Sequence, residues 1–153
     1  MINNDILRSV RYMLDLSDVK LVEIIALAGR TLAKEEVQSC LKREEEDGFA
    51  ECSDEVLAYF LDGLVIFKRG KDESRQAPEV TWPVSNNTVL KKLRVAFELK
   101  EDDLHGIMTA AGFEVSKPEL SALFRKEGHK NYRGCGDQFL RNFLKGLTLR
   151  IRP

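Results

Sequence analysis

Apolar side chains recur along this chain with the spacing of amphipathic helices. In the clearest case, apolar residues fall at positions i, i+3, i+4 and i+7 of one helix face: Leu21, Ile24, Ile25 and Ala28. Gly29 follows directly, where a residue in the left-handed conformation favours the end of a helix. No alternation of apolar and polar residues is long enough for a strand, so the pattern predicts an all-α protein.

The helical pattern occurs twice. Residues 3–70 align without a gap with residues 86–153 at a constant offset of 83, and 20 of the 68 aligned pairs are identical. A gapless register of this length indicates an internal duplication. The polar pairs common to both copies are Asn3/Asn86, Asn4/Asn87, Arg11/Arg94, Lys34/Lys117, Glu36/Glu119, Glu44/Glu127, Cys52/Cys135, Asp54/Asp137 and Arg69/Arg152.

Each copy predicts four helices, so we expect about eight in the chain. The first helix has Asn4 or Asn87 in the position of an N-cap. The third helix of repeat two opens with an S-x-x-E capping box at Ser116, whereas repeat one has Ala33 there. These signals divide the chain into two similar four-helix repeats.

The fourth helix begins after Ser53 or Gly136 and places an aspartate, Asp54 or Asp137, near its positive end. Both copies keep a glycine inside this helix, at residues 63 and 146. A glycine inside a helix costs about 1 kcal/mol relative to alanine. Its repetition predicts a close helix crossing, or a break near the C-terminal end of the helix.

Residues 71–85 have the composition of a linker, with two prolines and several charges. We therefore predict repeat one at 3–70, a linker at 71–85 and repeat two at 86–153. Trp82 is expected to anchor the linker against a repeat. A lone repeat of this size buries only about 60% of its chain surface. We thus expect the repeats to share an apolar face through an internal pseudo-twofold, or to exchange helices between chains in a swapped dimer.

Three stretches resemble the YehS-like family of small bacterial proteins. They are the opening NNDILRSVRYMLDLSD, the pattern Cys-x-Asp-x-x-Leu-x-x-Phe-Leu-x-Gly-Leu that starts at Cys52 and again at Cys135, and the segment KNYRGCGDQFLRNFLKGL. The resemblance implies a tandem pair of one domain of unknown function in a bacterial, cytoplasmic protein. It brings no catalytic residue, cofactor or substrate with it.

The composition fits this interpretation. A hydrophobic fraction of 43% can fill a core, which excludes a disordered chain, and three cysteines are too few for a disulfide scaffold. No apolar run approaches the roughly 18 residues of a membrane span, and the start MINND has no signal-peptide pattern. We expect a cytoplasmic protein in a reducing compartment.

Candidate catalytic groups are few. Cys52 and Cys135 each precede a helix, a position that can lower a thiol pKa, but free cysteine is also a common core residue. His129 is near Cys135 in sequence, while repeat one has Glu46 at the same position. The chain has no zinc-ligand spacing and no glycine-rich phosphate loop. We expect no enzyme activity, metal, cofactor or small-molecule substrate.

Charge separates the two halves. Residues 1–76 carry 11 Lys and Arg against 16 Asp and Glu, a net of −5, and residues 77–153 carry 13 against 9, a net of +4, which together give the −1 of the whole chain. Residues 44–47 are all acidic and are expected to end the third helix of repeat one. One explanation is that an acidic copy docks on a basic copy, within or between chains.

Two functional hypotheses follow. The first is a protein-interaction or assembly module that binds a protein partner or itself. The second is a nucleic-acid-binding regulator, because residues 104–125 resemble a helix-turn-helix, although the connection from Gly112 to Ser116 is longer than its usual turn. The candidate binding residues of the basic repeat are Lys117, Ser121, Arg125, Lys126, Lys130 and Arg133.

Overall fold

The computed structural model describes residues 1–71, residue 74 and residues 79–153. The chain divides into two compact units, Met1–Val84 and Ser85–Pro153. Part of the predicted linker, at residues 72, 73 and 75–78, lies outside the described residues.

Within the described residues there are eight helices and no strand, which confirms the all-α prediction. The first unit holds α1 (Asn3–Leu14), α2 (Asp18–Leu27), α3 (Lys34–Leu41) and α4 (Asp54–Arg69). The second unit holds α5 (Asn86–Ala96), α6 (Glu101–Ala110), α7 (Lys117–Leu123) and α8 (Asp137–Ile151). Each unit is therefore a four-helix repeat, as the duplicated pattern predicts.

The second and fourth helices form the centre of each repeat. In repeat one, α2 packs against α4, and in repeat two, α6 packs against α8. The apolar stripes predicted from the sequence are buried between them, with Ile24 and Phe60 in repeat one and Ile107 and Phe143 in repeat two at most 1% exposed. The periodic pattern thus identifies the core correctly.

The repeated glycine marks the point where these two helices cross. A Cβ added to Gly63 would overlap the carbonyl oxygen of Ile24 and lie 2.8 Å from its carbonyl carbon. The same atom on Gly146 would overlap the carbonyl oxygen of Ile107. The close-crossing prediction is confirmed, and no break occurs, since α4 and α8 both continue beyond the glycine.

In both repeats the first helix starts two residues earlier than predicted. The N-cap of α1 is Ile2 and that of α5 is Ser85, whose hydroxyl accepts from the backbone of Thr88 at 3.1 Å. The prediction of Asn4 and Asn87 as N-caps is wrong, because both lie inside the first turn and are buried. Their carboxamides bind other parts of the chain instead.

Ser116 is confirmed as the N-cap of α7, while Glu119 binds the hydroxyl of Ser116 and not the backbone nitrogen that a full capping box uses. The hydroxyl of Ser116 accepts from the backbone nitrogen of Glu119 at 3.2 Å and donates to its carboxylate at 2.9 Å. In repeat one, Glu36 makes the other bond of a capping box, by accepting from the backbone nitrogen of Ala33 at 3.2 Å.

The third helix of repeat one ends at Leu41, so the acidic residues 44–47 lie in turns beyond it. A carboxylate cluster in the last turn of a helix would face its negative end. The chain instead leaves the helix at Lys42, whose ammonium donates to the carbonyl of Asp47 at 2.7 Å. The expectation that these acids end the helix is therefore wrong.

Trp82 packs against repeat one. Its ring centroid lies 6.1 Å from that of Tyr59 on α4, and the nearby backbone nitrogen of Val84 donates to the carboxylate of Asp54 at 3.4 Å. These contacts confirm that this tryptophan holds the chain against a repeat.

Candidate functional site

The asparagines common to both repeats hold the loop that leads into the fourth helix. Asn4 is fully buried. Its Nδ2 donates to the carbonyls of Cys40 and Ala50, both at 2.9 Å, and its Oδ1 accepts from the backbone nitrogen of Cys52 at 2.9 Å. One side chain thereby joins α1, the end of α3 and the residues before α4.

Repeat two has the same arrangement. Asn87 donates to the carbonyls of Leu123 and Arg133 at 3.0 and 2.8 Å and accepts from the backbone nitrogen of Cys135 at 2.9 Å. Because all three partners are backbone groups, the asparagine fixes the loop whatever side chains the loop carries.

The neighbouring asparagine explains the shared aspartate. Asn3 donates to the carbonyl of Cys52 at 3.0 Å and to Oδ1 of Asp54 at 2.7 Å. Asn86 makes the equivalent bonds, including one of 2.8 Å to Oδ1 of Asp137 that holds the pKa of this carboxyl below its usual range. These carboxylates stabilise the start of the fourth helix.

The shared arginine has a structural role as well. Nε of Arg11 donates to the carbonyl of Leu16 at 3.2 Å, and Nε of Arg94 donates to that of Leu99 at 3.1 Å. These carbonyls follow the end of the first helix of each repeat, so the arginine fixes the turn into the second helix.

Cys135 lacks the environment of a nucleophile. Burial, followed by the nearby charge of Asp137, raises the pKa of its thiol to about 11. The thiol donates to the carbonyl of Gly136 at 3.4 Å, and Nδ1 of His129 accepts from the backbone of Asn131. The structure does not bring His129 and Cys135 together as a catalytic pair.

Three of the predicted binding residues already have acidic partners. Lys117 lies 3.1 Å from a carboxylate oxygen of Asp102, and Arg133 lies 3.7 Å from one of Glu119. The hydroxyl of Ser121 donates to Glu101 at 3.4 Å. These residues border a surface cleft of about 700 Å³ that is thus lined by both signs of charge.

The other three predicted residues, Arg125, Lys126 and Lys130, are exposed, and within the described part of the chain their side chains have no carboxylate partner. They lie at and after the end of α7, which has only seven residues. Six residues, 111–116, connect α6 to α7, and this length differs from the tight turn of a helix-turn-helix.

Repeat one exposes apolar side chains that the sequence analysis did not single out. We define the α2 surface as four large residues on or beside α2 with their exposed fractions: Tyr12 (58%), Val19 (52%), Leu27 (46%) and Phe67 (40%). The aligned residues of repeat two are Val95, Asp102, Ala110 and Arg150. Val19 and Phe67 thus align with charged residues, and this difference between the repeats can be seen in the sequence alone.

The two repeats differ in chemistry at one equivalent contact. In repeat one, the ammonium of Lys20 lies 5.6 Å from the ring centroid of Phe67. In repeat two, Arg150 donates to the carboxylate of Asp103 at 2.7 Å. A backbone hydrogen bond from Lys100, together with Arg150, lowers the pKa of Asp103. An ion pair thus replaces a cation resting on an exposed aromatic ring.

Metal-ligand clusters and membrane-spanning helices are both absent from the described residues. No three side chains among His, Cys, Asp and Glu come together as ligands for a metal ion there. None of the helices described is long and apolar enough to cross a bilayer.

Comparison with known proteins gives two matches and one absence. The family described as "Protein of unknown function (DUF1456)" matches twice, at residues 3–70 and 86–152. The "Uncharacterized protein YehS" of Escherichia coli (strain K12) is 52% identical over 150 residues, which cover 98% of this chain and 96% of that protein. No solved structure matches. With both repeats matched, the chain belongs to the DUF1456 family as a tandem pair of its domain.

Proposed function

We propose that this protein is a non-enzymatic interaction module whose α2 surface binds a protein partner. The observation that carries the proposal is that repeat one exposes four large apolar side chains. At the four aligned positions of repeat two, only Val95 is a large apolar residue. A contiguous exposed apolar patch on a small domain is typical of a binding site, and we propose that these side chains form one. The shared asparagines, the shared aspartate and the shared arginine of the first helix support this view because hydrogen bonds within each repeat already use them.

Val19 and Leu27 lie on α2, and Phe67 of α4 contacts α2 through Lys20. Val19, Glu23 and Leu27 are spaced by four residues and so lie along one side of the helix. Lys20, next to Val19, rests on the ring of Phe67. Tyr12 lies near the end of α1, next to Arg11, whose guanidinium lies 3.2 Å from the carboxylate of Asp18 on α2.

The charge of repeat one indicates the partner's chemistry. Residues 1–76 carry a net charge of −5, while Glu23, which lies between Val19 and Leu27 on α2, is paired with Lys20 at 2.9 Å. An apolar surface on a repeat with a net negative charge favours a partner segment with apolar side chains flanked by Lys and Arg, such as a basic amphipathic helix. We therefore propose a basic protein segment as the occupant of the α2 surface.

The test uses residues that repeat two already carries. The variant Val19→Asp/Phe67→Arg replaces two residues of the α2 surface without changing net charge. Its matched control, Thr31→Glu/Ala50→Arg, also takes both residues from repeat two and alters exposed positions outside the α2 surface. Proteins from a cell lysate that bind to immobilised wild-type protein are identified by mass spectrometry and purified. Each is then titrated against the wild type, the surface variant and the control.

We expect the surface variant to lose at least about tenfold in affinity, which corresponds to about 1.4 kcal/mol, and the control to bind like the wild type. Equal affinity of the three proteins would contradict the proposal. Sedimentation velocity at several concentrations, performed in parallel, shows whether the partner is a second copy of the chain.

Nucleic-acid binding is the second candidate, supported by the exposed cations Arg125, Lys126 and Lys130. Against it, Lys117 and Arg133 are paired with carboxylates in the same region. A mobility-shift assay at two salt concentrations tests it. A shift that salt weakens, and that neutralising the three cations abolishes, would favour this candidate, while no shift at low salt would reject it.

We also propose a cytoplasmic location. All three cysteines are free and buried, which is typical of proteins in a reducing compartment. The proposal includes no catalytic step, cofactor or small-molecule substrate.

A further inference from the structure

Repeat one contains two neighbouring thiols where repeat two has only one. Cys40 lies in the last turn of α3, and Cys52 lies two residues before α4. The residue aligned with Cys40 in repeat two is Leu123, so Cys135 has a leucine in the place of a second thiol. Repeat two therefore serves as an internal control for the reactivity of the two thiols in repeat one.

The carboxamide of Asn4 brings the two cysteines together. Its Nδ2 binds the carbonyl of Cys40 and its Oδ1 binds the backbone nitrogen of Cys52, each at 2.9 Å. The Cys52 thiol donates to the carbonyl of Ser53 at 3.7 Å. Both thiols are free, and Asn4 holds the backbones of the two cysteines side by side.

We propose that Cys40 and Cys52 are a site of oxidation by hydroperoxides, and that the product is a disulfide closing the acidic loop of residues 42–51 at its base. Such reversible pairs are the form in which disulfides occur in reducing compartments. The site is independent of the α2 surface.

The reaction balances with a hydroperoxide as the only oxidant. The thiolate of Cys40 attacks the peroxide, so an S–O bond forms, the O–O bond breaks, and the leaving oxygen takes up a proton as an alcohol or water. The sulfur of Cys52 then attacks the sulfenic acid, so the S–S bond forms and the S–O bond breaks, with release of water. Two thiols lose two electrons and one peroxide gains them.

The environments of the two thiols assign their roles. Cys40 is 8% exposed and Cys52 is 1% exposed, so the peroxide reaches Cys40 first. The neighbouring Cys52 thiol lowers the pKa of Cys40 and favours its thiolate. The neighbouring Cys40 thiol and burial raise the pKa of Cys52, which stays protonated until Cys40 has been oxidised.

The test starts from the reduced full-length protein and tert-butyl hydroperoxide. After treatment, the protein is unfolded in the presence of N-ethylmaleimide, and its mass and disulfide-linked peptides are measured. We expect the loss of two of the three thiols, a peptide pair joining Cys40 to Cys52, and a monomer on a non-reducing gel. Cys135 should keep its thiol over the same time.

Three variants complete the test. Cys40→Leu copies repeat two, and Cys40→Ser preserves the size of the side chain, so Cys52 should form no disulfide in either protein. Leu123→Cys builds the pair in repeat two, and a second disulfide between position 123 and Cys135 is expected. Retention of all three thiols by the wild type, or a disulfide that involves Cys135 in the wild type, would overturn the proposal.

Discussion

Gly63 on α4 lies directly against the carbonyl group of Ile24 on α2. A Cβ at residue 63 would overlap the carbonyl oxygen and lie 3.3 Å from Cγ2 of the same isoleucine. Because the neighbour is backbone, the contact cannot be relieved by a change of rotamer. The two central helices of repeat one pack at this distance only with glycine at their crossing.

We therefore expect Gly63→Ala to destabilise the protein by about 3 kcal/mol, since the helices must move apart to admit the methyl group. The control is Gly106→Ala. Gly106 is also inside a helix, but a Cβ there meets nothing within 4 Å. That substitution should instead stabilise the protein by up to about 1 kcal/mol, through helix propensity alone. Denaturant unfolding measures both changes, and a neutral Gly63→Ala would contradict the crossing.

The second prediction concerns the buried asparagine. Asn4→Ala removes three hydrogen bonds and leaves the carbonyls of Cys40 and Ala50 and the nitrogen of Cys52 without partners. We expect a loss of about 2–4 kcal/mol in the free energy of unfolding, and a similar loss for Asn87→Ala.

The exposed Asn131 provides the control for this pair. Asn131→Ala should change the free energy of unfolding by less than about 0.5 kcal/mol. Hydrogen exchange of the backbone amides of Cys52 and Cys135 gives a local measurement. Unchanged protection of these amides in the alanine variants would show that the asparagines do not hold the loops.

These asparagines show where the sequence was informative and where it was not. Their repetition was visible in the alignment of the two copies, but their role was misassigned to helix capping. The partners of Asn4 lie 36 and 46 residues away, and no local pattern reveals contacts over such separations. The Ser116 cap was predicted correctly because its partner Glu119 is three residues away.

The candidate binding residues also depend on contacts that the sequence does not reveal. The charge of Lys117 and Arg133 is evident in the sequence, but their pairing with Asp102 and Glu119 depends on how α6 and α7 pack. The apolar periodicity predicted which side of α2 is buried. It made no prediction for apolar residues on the other side of the helix. A residue such as Val19 stands out only when its exposure is known and its aligned partner is charged.

The third prediction follows from the raised pKa of Cys135. In the unfolded chain this thiol ionises near pH 8.5, and in the folded protein it stays protonated until about pH 11. Between these values the unfolded state binds fewer protons, so stability falls as pH rises. The contribution of the thiol is complete below about pH 8.5 and is lost as pH approaches 11.

Comparison with Cys135→Ala separates this effect from other groups that titrate in the same range. The free energy of unfolding of the wild type should decrease more steeply than that of the variant between pH 8.5 and 11. Parallel curves for the two proteins would contradict the assignment of a raised pKa to Cys135.

The last prediction concerns Arg94, which makes two different contacts inside repeat two. Its Nε donates to the carbonyl of Leu99, and its guanidinium lies 4.8 Å from the ring centroid of Phe124. Arg94→Ala loses both, and we expect destabilisation of about 1–2 kcal/mol. The exposed Arg125 is the control, because Arg125→Ala should change stability by less than about 0.5 kcal/mol.

Replacement of the same arginine by lysine separates the two contacts. An ammonium can lie over the Phe124 ring, but it cannot reproduce the Nε donor in the geometry of a guanidinium. Arg94→Lys should therefore recover only part of the stability that Arg94→Ala loses. Full recovery would mean that the positive charge over the ring is sufficient, and that the bond to Leu99 does not hold the turn between α5 and α6.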